Sequence, residues 1–239
     1  MSCYIEASHN LESWRILGSV TLPSAGITTF TDTQASGYTH RFYRVRSGAI
    51  LSYNSLGYMT ATVPAGSAMI ANQVQTANNS VRVLFAGVPN NTAIHKYNPA
   101  TGGYLTATFV DGEWEEDEFE VGPGEGVFID NPLPGPLAVT FVGEVLQGRL
   151  LNPVPAGSSI RSSMVPQSGT LDVELGYPVA EGDSVSRYDN ATGGYITDSF
   201  VDGQWEGDDP PPRPRVGESF WINTGAAKGW LREFSVWNP

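Results

Sequence analysis

Side chains alternate along YLTATFV at 104–110. Tyr104, Thr106 and Thr108 fall on one face and Leu105, Ala107 and Phe109 on the other. A period of two marks a half-buried β-strand. Four stretches near the start, CYIEAS, WRILGSVTL, TTFTD and HRFYRVRS, read as short strands separated by turn residues. KYN is a short strand and PATGG a turn, whose glycines are free to take positive φ. VFID and FWIN are apolar enough for central strands. Asp111-Gly112 and Asp202-Gly203 are two-residue hairpin signals of the type I′ kind. Only SAMIANQVQ at 67–75 suggests a helical turn.

The pattern is written twice. YNPATGGYLTATFVDGEW, from Tyr97 to Trp114, returns as YDNATGGYITDSFVDGQW, from Tyr188 to Trp205, 91 positions on. Val63-Pro64-Ala65-Gly66-Ser67 returns at the same offset as Val154-Pro155-Ala156-Gly157-Ser158, while GEGVFIDN at 124 and GESFWINT at 217 are 93 apart. The second copy has therefore gained two residues, most simply in DDPPPRPR at 208–215. Such self-similarity means a repeated structural unit. The expected fold is all-β: short N-terminal strands over 1–52, then two tandem antiparallel β-units over 53–148 and 149–239.

Composition agrees with many short strands joined by turns. Of 239 residues, 27 are Gly and 17 Pro, and 16% are charged. Asp and Glu number 25 against 13 Lys and Arg, a formal net charge of −12, which repels phosphate backbones and argues against nucleic-acid binding. Cys3 is the single cysteine, so no internal disulfide forms, and its position argues against catalysis. No apolar run approaches the roughly 20 residues of a membrane helix. Met1 is followed by SCYIEAS, which is not a recognisable signal peptide.

Two constellations could carry chemistry. The first is acidic: Glu113, Glu115 and Glu116 follow one hairpin and Glu206 the other. On a strand Glu113 and Glu115 share a face, with Glu116 opposite. Carboxylates about 5–5.5 Å apart serve a retaining glycoside hydrolase and a wider pair an inverting one. The same residues also suit a solvated edge that discourages strand-to-strand aggregation, or weak Ca²⁺ binding without a 12-residue loop pattern. The second is aromatic. Tyr104, Trp114, Tyr195 and Trp205 are candidate rings for stacking on sugars, whereas Phe109 and Phe200 suit a core; for the two tryptophans both readings stand. His9, His40 and His95 are scattered, which argues against zinc. GPGEG at 122–126 reads as a turn, with no Lys or helix behind it. No cofactor is expected.

Ser8, Asn10-Leu11, Trp14, Leu17, Phe30, Asp32 and Phe42-Tyr43-Arg44-Val45 resemble a fibronectin-like tail module of large secreted planctomycete and verrucomicrobial proteins. The chain enters that pattern at its Y-x-I-E-A-S strand, so the resemblance implies a short partial sandwich over 1–52. Pro123-Gly124-Glu125-Gly126-Val127-Phe128-Ile129 resembles the closing strand of a second secreted β-module, and Val216 to Ile222 follows it less closely. The resemblance implies an extracellular or cell-surface setting within a larger exported protein, and it transfers no catalytic residues. Three functions follow as expectations: binding of a carbohydrate or cell-surface glycan, a small glycoside hydrolase working through the acidic arms, or a structural spacer. Oligomeric state is open. A functional difference between the copies is expected where they diverge, as at Glu113 against Gln204, with the first copy the better candidate.

Overall fold

The computed structural model describes residues 2–237, and they are all-β. Among them helix is confined to α1 (Val81–Leu84) and one 3-10 turn at Ala35–Gly37. The first sheet runs in the order β11 (Leu137–Glu144), β5 (Leu56–Val63), β3 (His40–Ser47), β1 (Ser2–Ser8) and β2 (Arg15–Thr21), with β4 (Ile50–Leu51) on β3. The boundary expected at 52/53 therefore falls between strands of one sheet. TTFTD does not form the expected strand. Asp32 there accepts bonds from the Gln34 amide and the Tyr43 hydroxyl, both at 3.0 Å, which shapes a turn-rich loop instead.

The repeated stretches fold into two five-stranded antiparallel sheets of matching order. One is β6 (Gly66–Ile70), β10 (Val127–Asn131), β7 (Ala93–Asn98), β8 (Gly103–Val110), β9 (Glu113–Glu115). The other is β13 (Gly157–Arg161), β17 (Phe220–Thr224), β14 (Ser184–Asp189), β15 (Gly194–Val201), β16 (Gln204–Gly207). An outer ladder of β12 (Gly148–Val154) with β18 (Lys228–Phe234) accompanies the second sheet as β5 with β11 accompanies the first. Only the first ladder is extended by β3, β1 and β2.

Both hairpins turn as their sequence dictates. Asp111 and Gly112 have φ of 50° and 87°, and Asp202 and Gly203 of 52° and 80°, the positive values a type I′ turn needs. The expected helical turn at 67–75 does not form. Its first four residues belong to β6, where pairing with β10 buries Ala68 and Ile70, and the chain is irregular beyond.

One core gathers Leu11, Phe42, Phe85, Ile94, Trp114, Ile129 and Phe141, and reaches Phe234 and Val236 near the end of the chain. A second holds Leu171, Val185, Phe220, Ile222 and Trp230. Burying each such side chain contributes about 1.5–3 kcal/mol.

The two sheets meet through reciprocal contacts. Ile70 bridges Glu218 and Arg161 bridges Glu125; the Ala71 amide donates to the Gly217 carbonyl at 2.9 Å and the Ser162 amide to the Gly124 carbonyl at 3.0 Å. Each contact is the other with the copies exchanged, so the junction is two-fold in character. Gly126 sits at its closest point. A Cβ there would lie 2.2 Å from the Cβ of Ser219, which is why the first copy has no side chain where the second has a buried serine.

Candidate functional site

Strand register decides which side chains share the outer face. In the first sheet Tyr97 pairs with Tyr104, His95 with Thr106 and with Phe128, and Thr108 with Glu115. In the second, Tyr188 pairs with Tyr195, Ser186 with Thr197 and with Trp221, and Ser199 with Glu206. The intervening residues Ile94, Ala107, Ile129, Val185 and Ile222 point inward and are buried.

Six aromatic side chains on this face form a closed circuit across the junction. Within the first copy Tyr97 and Tyr104 have ring centroids 5.4 Å apart, and Tyr104 and Phe128 are 6.4 Å apart. Within the second, Tyr188 and Tyr195 are 5.5 Å apart, and the Trp221 indole Nε1 donates to the Tyr195 hydroxyl at 3.4 Å. Two contacts close the circuit between copies: Tyr97 on Trp221 at 4.8 Å and Phe128 on Tyr188 at 5.8 Å. All five ring–ring contacts of the circuit meet edge to face, as aromatic quadrupoles prefer. Tyr104 is 48% exposed and Tyr195 45%, so the circuit faces solvent. Burial, then the neighbouring phenols of Tyr195 and Tyr97, push the Tyr104 hydroxyl above its ordinary pKa.

Beside the circuit lies a groove of about 380 Å³. Tyr104 and Phe128 line it from the first copy and Tyr188 from the second; Ser67, His95, Thr106 and Asp130 supply its polar side. These four form a hydrogen-bonded chain. The Thr106 hydroxyl meets His95 Nδ1 at 2.9 Å, His95 Nε2 meets Asp130 Oδ2 at 3.0 Å, and the Ser67 hydroxyl donates to Asp130 Oδ1. With Nε2 carrying the proton, His95 donates to the carboxylate and accepts from Thr106. The chain fixes the imidazole and leaves a partly exposed carboxylate aimed at whatever enters the groove.

At the corresponding positions the second copy has Ser158, Ser186, Thr197 and Asn223. There Ser186 and Thr197 share a hydroxyl–hydroxyl bond of 2.9 Å. The junction thus relates two faces of similar shape and unlike polarity: imidazole and carboxylate on one, hydroxyl and amide on the other.

The residues singled out from sequence separate into three groups. Tyr104 and Tyr195 both lie in the circuit. Trp114 does not; it is 7% exposed and packs on Phe109 and Phe85, with ring centroids 5.3 and 6.3 Å away. Trp205 packs on Phe200 at 5.4 Å and against the second core. Neither tryptophan presents a stacking surface on the outer face, because each pairs across its hairpin with an inward-facing phenylalanine. Glu113, Glu115, Glu116 and Glu206 are exposed, and none lines the groove. β9 and β16 are the outer strands of two different sheets, so the two acidic arms belong to separate edges. His95, Asp130 and Trp221 were not anticipated. Aligning the copies at offsets of 91 and 93 sets His95 against Ser186 and Asp130 against Asn223, and that contrast was the available signal.

Among the described residues no three or more His, Cys, Asp and Glu side chains gather as they would around a metal ion. No described helix is long and apolar enough to cross a membrane. Comparison with protein-family models, with curated proteins and with solved structures finds no match to this chain.

Proposed function

We propose that this chain is a carbohydrate-binding β-module and that the aromatic circuit with its adjoining groove is the binding face. One observation carries the reading: six rings, two of them about half exposed, stand beside a fixed histidine and carboxylate. Sugars present apolar C–H faces to rings and hydroxyls to oriented polar groups, and this face supplies both. Among the described residues Asp130 is the one carboxylate lining the groove, which favours binding over two-carboxylate hydrolysis. The glycan belongs to an extracellular or cell-surface setting, as the resemblance of the N-terminal strands implies.

A glycan array probed with the full chain tests the reading, followed by calorimetry on the best ligand. Replacing Tyr104 and Tyr195 together by Ala is expected to weaken binding about tenfold or more, the effect of losing two stacking contacts of about 0.5–1.5 kcal/mol each. Retention of no glycan, or equal affinity after the double replacement, would sink it.

A further inference from the structure

The first sheet carries a second pocket, lined by residues ahead of the repeated units and larger than the groove, at about 550 Å³. Its chemistry runs against the rest of the chain. Acidic residues outnumber basic ones 25 to 13 overall, yet among the described residues the pocket is lined by His9, Arg15, His40 and Arg41 and by no Asp or Glu, the nearest carboxylate, Asp32, standing behind Arg41. Trp14 and Tyr38 supply its aromatic wall.

Arg41 is the unusual member. Its side chain is 2% exposed, and its Nε meets Asp32 Oδ2 at 3.0 Å. Asp32 also accepts bonds from the Tyr43 hydroxyl and the Gln34 amide. The guanidinium lies over the Tyr38 ring, 4.1 Å from its centroid. Nη1 and Nη2 find no acceptor among the described residues. A buried guanidinium normally satisfies its donors, because each unmet charged donor is expensive. With Nε held by Asp32, Nη1 and Nη2 remain as a buried fork of two donors, the arrangement that a carboxylate or sulfate accepts through two parallel bonds once the lining side chains open to admit it.

Arg15 adds a second fixed charge at the rim, held by the Tyr38 hydroxyl at 2.9 Å and by Gln34 at 3.3 Å. Burial holds the imidazole of His40 below its ordinary pKa; the guanidinium groups at the pocket are Arg41, paired through Nε with Asp32, and Arg15.

We infer that this pocket binds an oxyanion carried on a compact ring, such as a uronate or a sulfated sugar, with Arg41 and Arg15 as its charged contacts and Trp14 and Tyr38 against its body. The site is independent of the proposed glycan face and stands or falls separately.

NMR titration of the full chain in a buffer free of carboxylate, sulfate and phosphate tests it. The probes are glucuronate, sulfate and neutral glucose, read at the Trp14 indole and the His9 and His40 rings. Glucuronate is expected to give saturable shifts and glucose none. An equal response to sulfate assigns the site to the oxyanion alone, and a response to glucuronate only assigns it to the acidic sugar; either supports the inference. Arg15→Gln, at an exposed position, is expected to weaken binding about tenfold, as loss of a charge-assisted hydrogen bond does. Arg41→Lys, which keeps the charge and removes the fork, is expected to weaken it further; should that variant fail to fold, Arg15→Gln decides alone. No shift with either anion, or undiminished binding in the folded variants, overturns the assignment.

Discussion

Tyr97 of the first copy stands edge to face against Trp221 of the second, their ring centroids 4.8 Å apart at 72°. The partner contact, Phe128 on Tyr188, is the same relationship with the copies exchanged. A double-mutant cycle of Tyr97→Ala with Trp221→Ala, followed by urea unfolding, is expected to give a coupling of about 0.5–1.5 kcal/mol. A coupling of zero would mean that the rings do not hold the copies together.

The two classes of aromatic residue should separate cleanly. Trp114→Ala is expected to destabilise the fold by about 3–5 kcal/mol, as large-to-small core changes do. Tyr104→Ala, at a half-exposed ring, is expected to lower the unfolding midpoint clearly less than Trp114→Ala does and to reduce glycan binding. The reverse pattern would place the ligand face on the wrong side of the sheet.

Gly126 leaves no room for a side chain, since a Cβ would meet Ser219 at 2.2 Å. Gly126→Ala is expected to cost about 1–3 kcal/mol through overpacking. Adding Ser219→Gly should recover part of the loss, and thermal unfolding of the two variants checks both.

Asp183 is 1% exposed and holds Lys228 at 2.6 Å, the Tyr177 hydroxyl at 2.9 Å and the Ala180 amide at 3.0 Å. Burial acts to raise its carboxyl pKa, but the bond from Lys228 and the other donors outweigh burial and hold it below the usual value. A depressed folded pKa contributes stability that is present above the unfolded value of about 3.9 and is lost as pH falls through the folded one. Asp183→Asn is expected to destabilise the protein at pH 7 by about 3–5 kcal/mol by leaving Lys228 buried without a counter-charge. The gap between variant and parent should narrow below about pH 4. Urea midpoints measured from pH 7 to pH 3 test this, and a constant gap would count against it.

Exchange of the groove's polar pair tests the unlike character of the two faces. Asp130→Asn with His95→Ser, which copies the second face onto the first, is expected to weaken glycan binding about tenfold, the usual effect of losing hydrogen bonds to a charged group. Ser186→Ala on the second face is expected to change it little. Equal effects from both would mean that the two faces bind alike.

Much of the local structure was legible in the chain. Alternation at 104–110 gave β8 and the orientation of Tyr104, and Asp-Gly gave both type I′ turns. The same hairpin register also fixes Trp114 opposite Phe109, on the inward face, so its burial could have been read by carrying parity through the turn. The acidic arms drew notice because charge is conspicuous in sequence, whereas His95 lies 33 and 35 positions from Phe128 and Asp130 and meets them only through the tertiary fold. In the N-terminal segment, TTFTD has the composition of a strand, but Asp32 bonds locally and to Arg41, and the loop wins.

Local patterns in the chain specify the all-β class, the recurrence of the hairpin stretch at 97–114 and 188–205, and the faces of individual strands, because side-chain parity and turn chemistry act over a few residues. Tertiary structure decided that β5 joins the N-terminal sheet, that Tyr97 meets Trp221, and that Arg41 is buried with an unused fork. Those contacts join residues 9 to 124 positions apart in the chain, through backbone bridges and close packing that no local pattern encodes.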